Sequence, residues 1–377
     1  MSKLIDNRPN AAERALLVGI RLKRRSLERA HADLAELEAL AASAELHVCK
    51  TLMAPVGRID PAWYVGKGKV SEIKELVSDH DAQVVIFDET LSPAQVRNLE
   101  EKMDLKVIDR GILVLDIFAR RARTREAKIQ VELAQLEYLL PRLTGLWAHF
   151  SRHAGGVGTK GPGETQLEVD RRQTRTRIAT LKKELKNVVR SREVQRRRRK
   201  QNVPVCALVG YTNAGKSTLF NRLTRADEVT QAMMFSSLDA KSKRMHLTSA
   251  SGNNSLGAVL VDTVGFVSKL PPQLVASFRS TLEELRYADL LLCVLDISHP
   301  DAHAHVDEVL RVIKDMDARS IPRLWILNKV DLVEPERQRE VALSVVPDPY
   351  LICSAQQGTG ITALTRSLHD RLSVRAV

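Results

Sequence analysis

The sequence predicts an α/β protein in which two α/β units are joined by a long antiparallel helical hairpin. Three observations carry this. Residues 15–110 alternate between apolar strand runs and helical repeats, the pattern of a parallel sheet with helices on its faces. Residues 120–145, and the stretch from about Glu164, each carry apolar residues at helical spacing on either side of a glycine-rich loop. Beyond Pro204, strand runs again alternate with helical stretches. The first of those runs leads directly into Gly210-Tyr211-Thr212-Asn213-Ala214-Gly215-Lys216-Ser217.

In the first unit, residues 15–20 suit a buried strand, and Leu27, Leu34, Leu37 and Leu40 then recur at helical spacing. Residues 44–52 are again strand-like. After a loop with Pro55 and Pro61, Val70-Ser71-Glu72-Ile73 opens a second helix. Val84-Val85-Ile86-Phe87 reads as a buried strand, residues 93–103 as a third helix and Val107-Ile108 as a last strand. Residues 120–145 read as one long helix with Ile129, Leu133, Leu136 and Leu140 in a stripe, kinked or ended by Pro141. Gly155-Gly156-Val157-Gly158-Thr159-Lys160-Gly161-Pro162-Gly163 is neither helix nor strand. The helix after it places Ile178, Leu181, Leu185 and Val188 on one face, so the two helices should pack as an antiparallel pair. Strands are expected at residues 205–209, 259–262, 290–296, 324–328 and 350–353. The expected domains are residues 1–112, 113–202 and 203–377, a division consistent with ordinary domain sizes.

The formal net charge is +12. Residues 171–200 alone hold 14 Lys or Arg against Glu184 and Glu193, which accounts for the whole excess. Arg196-Arg197-Arg198-Arg199-Lys200 is its densest part. A concentrated basic segment implies a polyanionic partner, and RNA is the commonest in the cytosol. No apolar run approaches the ~18–20 residues of a membrane span, and Met1-Ser2-Lys3-Leu4-Ile5-Asp6 lacks the apolar core of a signal peptide. A cytoplasmic protein without a membrane partner, working as a monomer, is the expectation. Cys49, Cys206, Cys293 and Cys353 share no metal-ligand spacing and read as buried strand residues.

The octapeptide at 210–217 follows a strand and opens a helix, the setting a phosphate-binding loop requires. Gly210 and Gly215 let successive backbone N–H groups turn inward as an anion nest, and the helix N-terminus adds partial positive charge. Lys216 should reach the β- and γ-phosphates of a bound triphosphate. Ser217, followed by Thr218, should offer its hydroxyl to Mg²⁺. Asp262-Thr263-Val264-Gly265 comes next in order. There Asp262 suits a water-mediated magnesium contact and Gly265 a backbone N–H to the γ-phosphate. Asn328-Lys329-Val330-Asp331 suits guanine. The Asp331 carboxylate can accept from N1–H and the 2-amino group, and adenine has neither donor there. Ser354-Ala355 fits a backbone contact to the guanine 6-oxo group. GTP as substrate and GDP as product follow, with Lys216 and Gly265 nearest the reacting phosphate. Phe266, next to Gly265, cannot orient an attacking water. Stimulation by a partner is therefore the physical expectation.

On these residues the chain resembles the HflX-type ribosome-associated GTPases of the Obg–HflX superfamily. The likeness covers nearly the whole length. It includes Gly66-Lys67-Gly68-Lys69, Leu115-Asp116-Ile117-Phe118-Ala119, Gln130-Val131-Glu132-Leu133-Ala134-Gln135-Leu136, Gly161-Pro162-Gly163-Glu164-Thr165-Gln166-Leu167 and Asp262-Thr263-Val264-Gly265-Phe266. The resemblance implies an N-terminal α/β domain, a helical hairpin and a Ras-like P-loop G domain. It implies binding to the large ribosomal subunit and its RNA, splitting of stalled ribosomes, and hydrolysis stimulated by ribosomes. Asn213 resembles the residue that helps hold K⁺ in some relatives. Ser237 stands where the family has a Thr that ligates magnesium, within Phe235-Ser236-Ser237-Leu238-Asp239-Ala240-Lys241. Ala240 and Lys241 also depart from the family pattern, which predicts a looser first switch. Many members carry a further small domain beyond the closing helix expected at residues 362–372. Two readings stay open: a ribosome-coupled GTPase, or a hydrolysis-poor ribosome-binding factor that uses GTP mainly as a structural ligand.

Overall fold

The computed structural model describes residues 12–142, 166–199, 203–225, 241–249, 255–267, 283–336 and 349–373, with residues 234, 269, 338 and 346. They fall into two units, Met1–Asn187 with Ser268–Ser277, and Val188–Val267 with Phe278–Val377.

The first unit is built on four parallel strands: β1 (Arg14–Leu22), β2 (His47–Val56), β3 (Val84–Phe87) and β4 (Lys106–Asp109), in the order β2-β1-β3-β4. Its helices are α1 (Leu27–Ser43), α2 (Lys67–Asp79), α3 (Pro93–Met103), α4 (Arg110–Arg121), α5 (Arg125–Leu139) and α6 (Gln166–Arg199), the last running on into the second unit. Local chemistry sets their starts. Ser26 accepts the Arg29 N–H at 3.2 Å. Ser92 and Gln95 form a reciprocal capping box ahead of Pro93. Each such cap is worth about 1 kcal/mol. The helix expected over 120–145 is α5, Arg125–Leu139, followed by a 3-10 turn at Leu140–Arg142 that contains Pro141, and α4 before it is an addition to the sequence reading. The Thr124 hydroxyl accepts the Ala127 N–H at 3.1 Å and starts α5 anew, while Asp109 caps α4 through the Ile112 N–H at 3.0 Å. Ile129, Leu133 and Leu136 of α5 cluster with Leu181 of α6, and Ile178 and Leu185 pack alongside. Arg177–Glu132 and Lys182–Glu137, each 2.7 Å, flank that seam. The glycine-rich segment 155–163 lies outside the described residues.

The second unit has six strands: β5 (Val205–Gly210), β6 (Lys241–Thr248), β7 (Ser255–Asp262), β8 (Leu290–Asp296), β9 (Arg323–Asn328) and β10 (Tyr350–Ile352). Their order is β10-β9-β8-β5-β7-β6, parallel except for β6. Helices α7 (Lys216–Thr224), α8 (Ala302–Asp315) and α9 (Ile361–Ser373) cover it. The two-residue strand period sorts the core into two layers. Ala207, Val209 and Trp325 pack with Val309 and Ile313 of α8. Cys206, Leu208, Leu324 and Ile326 pack with Leu219 of α7 and with Leu364 and Leu368 of α9. β6 is an addition to the sequence reading. Its Lys241-Ser242-Lys243-Arg244-Met245-His246-Leu247-Thr248 buries only Met245 and Leu247, as suits a charged edge strand that resists further pairing. Burial pushes the Cys206, Cys293 and Cys353 thiols up to about 12. Cys353 sits one residue past β10, and Cys49 is only half-buried. Among the described residues no helix is long and apolar enough to cross a membrane.

Candidate functional site

The phosphate loop leaves the carboxyl end of β5, a central strand flanked by β7 and β8. Open α/β sheets gather ligands at that end. Asn213 (φ 61°) and Gly215 (φ 93°) hold the left-handed turns that curl the backbone toward a common centre. Gly210 is required for packing, because a Cβ there would lie 2.3 Å from the Val294 carbonyl oxygen.

Lys216 opens α7 and is buried, with Nζ donating to the Tyr211 carbonyl at 2.8 Å. Ser217 Oγ donates to Asp262 Oδ2 at 2.9 Å. Two hard oxygen donors thus stand together beside the loop. They fit Mg²⁺, which takes one or two protein oxygens and completes its shell with phosphate oxygens and water. Thr218, Thr212 and Ala214 complete the loop and first turn. Ser237 lies outside the described residues.

Asp262 ends β7 and is buried, and the Thr263 hydroxyl donates to the Leu208 carbonyl at 2.6 Å. Val264 is buried beside it. Gly265 then comes against the phosphate loop. A Cβ there would stand 2.8 Å from both Lys216 Nζ and Thr212 Cα, so only glycine permits this approach. Phe266 pairs with Tyr211 as a parallel bridge, through Thr212 N–H to Phe266 O at 2.6 Å and Phe266 N–H to Gly210 O at 3.2 Å. Its ring is buried in the core layer with Tyr211, Leu295 and Ile297, where it can take no part in orienting water.

Asn328 ends β9 and ties two loops together. Its Nδ2 donates to the Ala214 carbonyl at 2.8 Å and its Oδ1 accepts the Ala355 N–H at 2.9 Å. The Ala355 N–H is therefore already engaged, and reaches a base only as a shared donor. Ser354 and Ala355, which open the loop 354–360, are buried. Lys329 takes φ 64° and its Nζ pairs with Asp296 Oδ2 at 2.6 Å, while Asp296 Oδ1 accepts from Ser298 N–H and Oγ. Asp331 is exposed on the short turn Val330–Leu332. Sequence reasoning missed Asp296 and Arg222, which supports the 354–356 loop. No spacing marks either, since the Lys329 partner of Asp296 and the loop partners of Arg222 are brought close only by the fold.

Burial pushes the Lys216 ammonium down to about 8 from its ordinary 10.5, with Asp262 opposing. Phosphate oxygens beside it would raise that value. Nucleotide binding should therefore take up a proton near pH 8, and affinity should fall as pH rises through about 8, with a slope of up to one proton. For folding the sign is opposite. The unfolded chain keeps the proton up to about 10.5, so in nucleotide-free protein Lys216 adds stability as pH climbs from about 8. Calorimetry of GDP binding at about pH 8, in buffers of different ionisation enthalpy, is expected to show the uptake. Heats independent of the buffer would mean that Lys216 stays fully charged without nucleotide.

Comparisons with known proteins agree along the chain. Residues 31–119 match a family described as GTP-binding GTPase N-terminal, residues 121–199 the GTP-binding GTPase Middle Region, and residues 205–329 a 50S ribosome-binding GTPase. The chain is 48% identical over 361 residues to the GTPase HflX of Alkalihalophilus pseudofirmus, covering 96% of this chain and 83% of that one. It is 43% identical over 368 residues to the GTPase HflX of Escherichia coli K12, covering 97% and 84%. Among solved structures it is similar to that of SsGBP with GDP, at 25% identity and a TM-score of 0.53, covering 97% of this chain and 100% of that one. With this phosphate loop and strand end, and at this identity to those relatives over nearly its whole length, the chain belongs to the HflX family of GTPases.

Proposed function

We propose that this chain is a GTPase switch that binds the large ribosomal subunit in the cytoplasm and there splits or rescues stalled ribosomes. The observation that carries the nucleotide half is Asn328, which fastens the phosphate loop at Ala214 to the base loop at Ala355. Phosphates would lie on the N–H nest of residues 210–217. Lys216 would let go of the Tyr211 carbonyl and turn its ammonium to the β- and γ-phosphates. The hydroxyls of Ser217 and Ser237 would hold Mg²⁺, which supplies charge neutralisation on the phosphate oxygens. Asp331 would read guanine, and Asn213 is the residue this reading gives to K⁺.

Gly265 already touches the phosphate loop, so a γ-phosphate entering there must displace the Asp262–Gly265 turn or bond to it. That is the switching step. With the Phe266 ring in the core, water must be oriented by some other group, and hydrolysis should be slow until the ribosome stimulates it. Turnover alone and with purified large subunits, at fixed Mg²⁺ and with K⁺ exchanged for Na⁺, tests this reading. Strong stimulation is expected. Subunit binding without stimulation would leave GTP as a structural ligand.

The basic end of α6 is assigned to ribosomal RNA. Neutralising Arg196, Arg197, Arg198 and Arg199 together is expected to weaken ribosome co-sedimentation by about tenfold or more at moderate salt. It should also flatten the salt dependence, because each lost phosphate contact removes roughly one counterion from the slope. Unchanged sedimentation across salt would move the RNA contact elsewhere.

A further inference from the structure

Arg222 stands on α7, the helix whose first turn carries Lys216 and Ser217. Its Nε donates to the Ala355 carbonyl at 3.1 Å and its Nη2 to the Gln356 carbonyl at 2.6 Å. Both acceptors lie 133 or 134 residues further along the chain, in the loop after β10. The loop has internal bonds of its own. Ser354 Oγ accepts the Gln357 N–H at 3.1 Å, and Ser354 O accepts the Gly358 N–H at 2.8 Å. Gln356 and Gln357 are exposed. Among the described contacts, Arg222 is what grips the outward turn of this loop from α7, while Asn328 grips its inner end.

A planar trans peptide points its N–H away from its C=O. Holding the Ala355 carbonyl toward α7 therefore fixes the opposite direction of the Gln356 N–H, which shares that peptide. Holding the Gln356 carbonyl fixes the next plane. The guanidinium suits this task, since its rigid fork carries several donors that can engage two acceptors at once.

We propose that Arg222 is a positioning residue that aims the donor edge of the loop 354–356 at the 6-oxo group of the base, and so sets specificity from the phosphate side of the site. This rests on the reading of Asn328–Asp331 as the base site. The two assignments separate chemically. Asp331 answers to N1–H and the 2-amino group, and Arg222 answers to the 6-oxo group.

The test compares three diphosphates on the full chain and on Arg222→Ala and Arg222→Lys, by equilibrium binding. GDP carries every group. 6-Thioguanosine diphosphate keeps N1–H and the 2-amino group but offers sulfur, a weak acceptor, in place of the 6-oxo oxygen. Inosine diphosphate keeps the oxygen and lacks the 2-amino group. The unsubstituted chain should bind GDP more tightly than either analogue. In both variants GDP affinity should fall, by about tenfold in Arg222→Ala, while 6-thioguanosine diphosphate changes by no more than about threefold. The gap between those two should close, and the GDP-to-inosine-diphosphate ratio should hold. A general loosening of the fold would weaken all three together and would overturn the proposal, as would a gap that survives in both variants. If the unsubstituted chain shows no gap with the 6-thio analogue, the loop does not read the 6-oxo group and the role of Arg222 falls. If it shows none with inosine diphosphate, the reading of Asp331 fails instead.

Discussion

Asp331→Asn is expected to lower GTP affinity by about 10³-fold or more and to create affinity for xanthosine triphosphate. On the proposed reading the carboxylate accepts two hydrogen bonds from guanine, at N1–H and at the 2-amino group. An amide in its place faces the 2-amino group with a second donor. Xanthine carries an oxygen at that position and pairs with the amide. The backbone that presents residue 331 should survive, because it is set by other groups. Asn328 is bonded to Ala214 and Ala355, and Lys329 is tied to Asp296. Binding of both triphosphates, with the melting temperature as a check on folding, decides the matter. Tight GTP binding by the variant would remove Asp331 from the base site.

Gly215→Ala should damage both folding and nucleotide binding. The added methyl carbon would sit 2.1 Å from Asn328 Nδ2, and the backbone there has φ +93°. Alanine at such an angle costs about 1–3 kcal/mol in strain alone. Asn328 would also have to leave the Ala214 carbonyl, and with its bond to the Ala355 N–H that contact joins the phosphate loop to the loop after β10. A total loss of about 2 kcal/mol or more in stability is expected. GDP affinity should fall on the order of 100-fold or more, since the misdirected N–H groups no longer converge on phosphate. Denaturant midpoints and GDP titration on one preparation check both effects. A normal GDP affinity would mean that the loop relaxes around the methyl group without losing its nest.

Much of the fold is legible in the sequence, for a local reason. β3, α3 and β8 begin and end where their apolar runs and caps say they should. A capping box at Ser92 and Gln95, or seven consecutive buried residues over Leu290–Asp296, is written within a few positions of chain. Phosphate and guanine motifs are local in the same way, because a turn that converges N–H groups must be made by neighbouring residues. The sequence by itself thus determined the α/β class, the phosphate loop, the Asn328–Asp331 turn as a candidate base site, and the basic segment of α6.

Elements that depend on remote partners were not legible. β6 is a strand because it pairs antiparallel with β7, although its own residues are mostly charged. The division between α4 and α5 is made by the Thr124 cap, whose hydroxyl accepts the Ala127 N–H and starts α5 at Arg125 rather than at the expected residue 120. The withdrawal of the Phe266 ring is decided by the core around Leu295 and Ile297. Asp296 and Arg222 acquire their roles only because β8 and β9, or α7 and the loop after β10, come together in the folded unit. Hydrogen bonds and ion pairs of that kind are set by distances across the sheet. The tertiary structure therefore decided how the site is braced, while the local order of residues in the chain carries the motifs from which its chemistry is proposed.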